Sequence, residues 1–212
     1  MNDAQALREA DEEGYARLLS ALPAQAAGRV GAAMAESWRH YHARWHLGRI
    51  WRLHGDYGAR DWDEDVALLA AYHDIVYRPD APARRNEYLS AAAFLEDAAE
   101  LGIRPARAGR IAGVIVATAD HLGDGAAVDP ATDPPGAWFL DLDLEPLAAT
   151  AHAANTALIR REYAHVPDSA FASGRRAFLE RLADHPWLFR TETARRLGWE
   201  QAARAHIAAD LA

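Results

Sequence analysis

The stretch VALLAAYHDIVYRPD, Val66 to Asp80, decides how this chain is read. Val66, Leu69, Ala70, His73 and Val76 recur at helical spacing and make an apolar stripe. His73 lies within that stripe, and Asp74 follows it directly. A histidine and a carboxylate in an apolar segment need partners, because burying polar groups without them is costly. A metal ion would satisfy both. The alternative is a core histidine bonded to a backbone carbonyl, with Asp74 on an exposed flank. The helix is expected to end near Tyr77, because Pro79 restrains Arg78.

Outward from this stretch the chain reads as helices. An amphipathic helix is expected from Asp3 to Leu22, stopped by Pro23. A longer one runs from Gly28 to His54 and contains RHYHARWHLGRI, residues 39–50. On it His42, His46, Ile50 and Leu53 share a stripe. Asp61 and Glu64 have capping-box spacing ahead of the His73 helix. Asn86 is placed to cap NEYLSAAAFLEDAAELG, which stops at Gly102. Ala106 to His121 forms the next helix after Pro105, with His121 extending its apolar face. The segment from Gly123 to Trp138 reads as a long loop, a length that is uncommon without a function. In FLDLDLEPLA, residues 139–148, a helix is favoured over a strand. Further helices cover residues 151–165, 168–183 and 191–211, the last broken near Gly198. One all-α domain over residues 1–212 is expected.

Composition narrows the chemistry. The 212 residues suffice for one sizeable core. Cysteine is absent, so any metal must be held by nitrogen and oxygen. With 23 basic and 31 acidic residues the net charge is −8, and bulk nucleic-acid binding is not expected. No apolar run is long enough for a membrane span, and the polar, acidic N-terminus is unlike a signal peptide. The expectation is a soluble cytoplasmic protein.

Together the chain offers His46, the pair His73-Asp74, and a late aspartate, in the order H…HD…D. HLGRI at 46–50, AYHDIVY at 71–77, NEYLSA at 86–91, IVATADH at 115–121 and DLDL at 141–144 make the pattern closer. YHARWH and IRREY add to it. In these segments the chain resembles the HD superfamily of metal-dependent phosphohydrolases, within a predicted phosphohydrolase subgroup, over roughly residues 38–176. The resemblance implies a single helical HD-like bundle. It implies four metal ligands, His46, His73, Asp74 and Asp143, with Asp141 the alternative to Asp143.

Two imidazoles and two carboxylates suit Mn, Fe, Co, Ni, Zn or Mg. Such an ion polarises a phosphoryl oxygen and activates water. Asp74 could orient that water. His42, Glu87 and His121 are acid-base candidates. Arg39, Arg160 and Arg175 are candidates to clamp phosphate. The expected activity is hydrolysis of a small phosphorylated molecule, a nucleotide among the options, with a homodimer allowed. A regulatory module that binds metal or nucleotide without turnover is the alternative, and a purely structural helical protein the third. A shared ion requires the imidazoles of His46 and His73 to lie within about 8 Å, given metal–nitrogen bonds of about 2 Å.

Overall fold

A computed structural model describes residues 3–123 and 127–212. It is 72% helical, and no strand occurs among the described residues, so the FLDLDL run is helix and the class is all-α. In chain order the helices are α1 (Asp3–Ala21), α2 (Ala24–Met34), α3 (Arg44–Tyr57), α4 (Asp63–Tyr72), α5 (Arg85–Glu100) and α6 (Pro105–Ala117). They continue with α7 (Pro134–Leu144), α8 (His152–Glu162), α9 (Asp168–Asp184), α10 (Glu192–Arg196) and α11 (Trp199–Leu211).

Helix α4 is the centre. Every residue from Val66 to Tyr72 is buried. Helices α3, α5, α6 and α7 pack around it, so its sequence is apolar all round rather than on one stripe. The helix ends at Tyr72, five residues before the expected stop at Tyr77, and His73 is its C-cap. That early stop frees the carbonyls of Asp74 and Ile75 to accept from Arg39, and the Val76 N–H to donate to Ser90 Oγ. The expected Asp61 cap is also absent. Asp61 lies in a 3₁₀ turn, Arg60–Trp62, and α4 starts without a side-chain cap. Asn86 caps nothing either: its amide bonds both the N–H and the carbonyl of Arg78, and α5 begins one residue earlier.

The expected long helix from Gly28 to His54 is two helices, α2 and α3, with residues 35–43 between them. No proline forces this break. Instead the N–H groups of His40, Tyr41 and His42 all donate to one oxygen of Glu162, at 2.7 to 2.9 Å. A carboxylate from α8 thus replaces the helical carbonyl acceptors of those three residues.

The expected loop from Gly123 to Trp138 is shorter than its sequence suggests, and residues 124–126 lie outside the described residues. Helix α7 starts at Pro134, with the Asp133 carboxylate accepting from the Gly136 N–H at 3.0 Å. Asp followed by Pro-Pro is an N-cap and first-turn signal. Helix α6 stops at Ala117, and a 3₁₀ turn, Thr118–Asp120, carries the chain to His121. Gly102 and Gly198 take left-handed φ values of 67° and 77°, ending α5 and separating α10 from α11 as expected.

Two contacts set the pose of α3. Arg49 reaches both Glu145 oxygens, at 2.6 and 2.7 Å, and Arg52 holds Asp11 on α1. Helices α1 and α3 also touch backbone to backbone. A Cβ on Gly48 would fall 1.8 Å from the Asp11 carbonyl oxygen, whereas one on Gly55 would meet nothing within 4 Å. Gly48→Ala should therefore destabilise the protein towards the upper end of the roughly 1–3 kcal/mol typical of overpacking. Gly55→Ala should stabilise it by up to about 1 kcal/mol through helix propensity. Urea denaturation of the two variants measures both. Equal midpoints would mean α1 and α3 are not in this close contact.

Candidate metal centre

Four elements converge at one end of α4. His46 comes from the first turn of α3, His73 from the end of α4, Asp74 from the turn after it, and Asp143 from the last turn of α7. The Nε2 atoms of His46 and His73 are 3.4 Å apart, well within the distance a shared ion requires. His46, His73 and Asp74 form a cluster that could hold a metal ion: one ligand atom from each lies within 4.8 Å of the others. Asp143 adds a fourth group, its Oδ1 3.0 Å from His46 Nε2 and 3.6 Å from His73 Nε2.

The tautomers favour a cation. His73 Nδ1 donates to the Ala70 carbonyl at 3.0 Å, which leaves the lone pair on Nε2, the atom that faces the cluster. His46 presents Nε2 to the same point. Its Nδ1 is buried and has no hydrogen-bond partner among the described residues. The rings are fixed by packing: His73 lies edge-to-face on Phe139 at 5.3 Å, and His46 lies 5.3 Å from Tyr41.

Electrostatics tell the same story. Burial lowers the His73 imidazole, but the Asp74 and Asp143 carboxylates overcome it and push it up to about 9. Burial raises both carboxyls, and the neighbouring imidazoles more than reverse this, holding Asp74 and Asp143 below the usual range. Without an ion, a proton on His73 offsets one of the two carboxylate charges. Metal uptake must therefore release protons.

Around this centre stand groups that orient it. His121 Nε2 lies 2.9 Å from the other Asp143 oxygen. Its carbonyl accepts from Arg190 Nη2 at 2.5 Å. His42 Nδ1 bonds Glu162 Oε2 at 2.7 Å and its ring stacks on Tyr77 at 4.0 Å. Burial lowers His42, but Asp74 and Glu162 raise it above its ordinary value. A cavity of about 170 Å³ lies beside Asp143, with His42, His121, His152, Asn155 and Arg175 in its walls. A larger one of about 390 Å³ shares His121, Leu144 and Phe178 with it.

The expected site residues divide. His42, His46, His73, Asp74, His121 and Asp143 come together. Asp141 does not join them: it is fully buried on the opposite side of α7, accepting from the Arg190 and Thr191 N–H groups. Arg175 lines the smaller cavity. Arg39 is not a phosphate clamp. Its guanidinium is buried and donates to Glu36, to the His42 carbonyl, and to the Asp74 and Ile75 carbonyls at 2.8 and 3.0 Å. It pins the His73-Asp74 turn against residues 36–42 instead. Arg160 is likewise occupied, by Asp168 and by the Tyr163 and Val166 carbonyls between α8 and α9. Glu87 sits half-buried in the first turn of α5. Among the described residues no hydrogen bond or ion pair joins it to the cluster, and it lines neither cavity.

Glu162 is the group that sequence reading passed over. It organises residues 40–42 from 120 positions away, and its only signal was its place in IRREY. Glu162→Gln keeps an oxygen for the three N–H groups but removes the charge that strengthens those bonds. We expect it to cost about 1–2 kcal/mol, since hydrogen bonds to charged groups exceed neutral ones by roughly that amount. Urea denaturation checks this, and an unchanged midpoint would show that the carboxylate does not hold the segment.

Comparison with known proteins gives no relative from which to read the site: no family model, no curated protein and no solved structure matches the chain.

Proposed function

We propose that the protein is a metal-dependent phosphohydrolase that cleaves a phosphate ester of a small molecule, in the manner of the HD proteins its motifs resemble. The observation that carries this reading is the convergence of His46 Nε2, His73 Nε2, Asp74 and Asp143, the last of which also lines a small cavity. The donor set fits Mn, Fe, Co, Ni, Zn or Mg, because it is all nitrogen and oxygen. When bound, a divalent ion supplies Lewis acidity toward a phosphoryl oxygen and lowers the pKa of water.

The chain's own residues then divide the remaining work. His46, His73, Asp74 and Asp143 would hold the ion. His121 fixes the rotation of the Asp143 carboxylate through its free oxygen. His42 is anchored at Nδ1 by Glu162 and lines the cavity, so its Nε2 is the group placed to exchange a proton with the leaving oxygen. Arg175 brings a cation to the opposite wall.

The test is metal analysis of the purified protein, followed by hydrolysis of p-nitrophenyl phosphate and a panel of phosphomonoesters and nucleotides with Mn, Co or Ni added. Metal-dependent release of phosphate supports the proposal. Bound metal with no turnover across the panel would favour the regulatory alternative, and failure to bind any divalent ion would end both.

A further inference from the structure

The wall of the smaller cavity that faces the metal centre is built by α8 and α9, and it holds an unexplained group. Asn155 is 7% exposed, and its side-chain Nδ2 is buried with no hydrogen-bond partner among the described residues. A buried amide normally finds partners, because leaving it unpaired forfeits the hydrogen bonds it had in water. Asn155 lies one turn into α8, beside Thr156, and lines the same cavity as Asp143, His42 and His121.

Its neighbour on that wall is Arg175, whose Nη2 donates to Thr156 Oγ1 at 2.8 Å and lies 3.3 Å from Asp210. His152, also in the wall, holds Asp210 at 2.9 Å through Nε2. Asp210 therefore fixes Arg175 and His152, while Asn155 Nδ2 has no hydrogen-bond partner among the described residues. The arrangement is asymmetric. One part of the cavity wall carries Asp143 of the metal-ligand cluster, with His42 and His121. The α8–α9 wall carries a tethered guanidinium and an amide whose NH₂ group has no partner among the described residues. An amide can turn its NH₂ group to whichever side offers an acceptor.

We infer that Asn155, together with Arg175, forms the oxyanion-binding wall of this cavity and takes a non-bridging phosphoryl oxygen opposite the metal centre. The inference rests on the phosphohydrolase reading for the identity of the ligand, and it assigns Asn155 as a substrate-binding residue. A phosphoryl oxygen supplies the acceptor that the buried amide lacks. Binding by amide and guanidinium together would orient the phosphorus toward the cluster, which is where positioning contributes most to such reactions. The cavity of about 170 Å³ adjoins the larger one through His121, Leu144 and Phe178, which leaves space beside the phosphoryl group for the remainder of the ester.

The test uses the full chain loaded with Mn and titrated with inorganic phosphate by calorimetry, comparing the wild type with Asn155→Asp and Asn155→Ser. Asn155→Asp keeps the shape but places a carboxylate where a donor is required. Asn155→Ser keeps a donor. The expected result is phosphate binding weakened by about tenfold to a hundredfold in Asn155→Asp, the range for losing a hydrogen bond to a charged group. Asn155→Ser should stay within about threefold of the wild type, and the Mn content should be the same in all three. Undiminished phosphate affinity in Asn155→Asp would overturn the inference. So would loss of Mn along with phosphate in both variants, because Asn155 would then be supporting the cluster itself. If no ester is hydrolysed but phosphate binding still depends on Asn155, the hydrolase reading fails and this one stands.

Discussion

Replacing His73 or Asp74 by alanine should remove the metal and reduce metal-dependent hydrolysis by more than about a hundredfold, the upper range for losing even an outer hydrogen-bond partner of a metal ligand. His73 is the pivot of the cluster. Its Nε2 lies 3.4 Å from His46, 3.1 Å from Asp74 and 3.6 Å from Asp143, within reach of all three. Asp74 is held differently. Arg39 grips the main-chain carbonyls of Asp74 and Ile75, not the carboxylate. The turn should therefore survive truncation of the side chain. Metal content by elemental analysis and helicity by circular dichroism separate the outcomes. Intact helicity with lost metal and lost activity is expected. Unchanged hydrolysis in both variants would sink the catalytic reading. Collapse of the fold would mean that the ion, or His73 itself, is needed to neutralise the buried carboxylates.

What could be read from sequence was local. Val66, Leu69 and Ala70 at the helical period declared α4 a helix, but not that it is buried all round or that it stops before His73. Gly198 and Gly102 declared their breaks by needing positive φ. The helical step of about 100° per residue correctly separated Asp141 from Asp143. What could not be read was settled by partners far away along the chain. The break at residues 35–43 contains no proline, and it exists because Glu162 accepts three N–H groups that a helix would otherwise have used. Arg39 resembled a phosphate clamp because it adjoins a histidine cluster. Once the helix ended at Tyr72 rather than Tyr77, unpaired carbonyls lay beside it, and it took those instead. Asn155 carries no sequence signal at all. Its interest arises only from being buried, unpaired and beside a cavity.

Asp141→Ala and Asp143→Ala should give opposite phenotypes, although the residues are two apart. Asp143 points from α7 at the cluster and is the shared partner of His46, His73 and His121. Its removal should cost the ion. The metal-free fold should tolerate the loss, because the His73 imidazole can give up its proton when a carboxylate leaves. Asp141 points the other way, into the contact between α7 and the segment before α10. Its two oxygens accept the N–H groups of Arg190 and Thr191 at 2.9 and 2.7 Å, and the Arg190 guanidinium lies 3.8 Å away. Burial pushes the Asp141 carboxyl up, and these donors pull against that shift. Truncation would leave two buried N–H groups without an acceptor, at about 1–3 kcal/mol each. It would also remove the nearest counter-charge from Arg190, itself buried and holding the His121 carbonyl. Asp141→Ala should therefore lower the urea midpoint clearly while the folded fraction keeps its metal. Asp141→Asn should recover part of the loss, since one oxygen remains to accept one of the two N–H groups. Metal loss in Asp141→Ala at full stability would move the ligand assignment to Asp141. Equal metal loss in both variants would show that α7 does not hold its two aspartates on opposite faces, and the helical register that brings Asp143 to His73 would have to be abandoned.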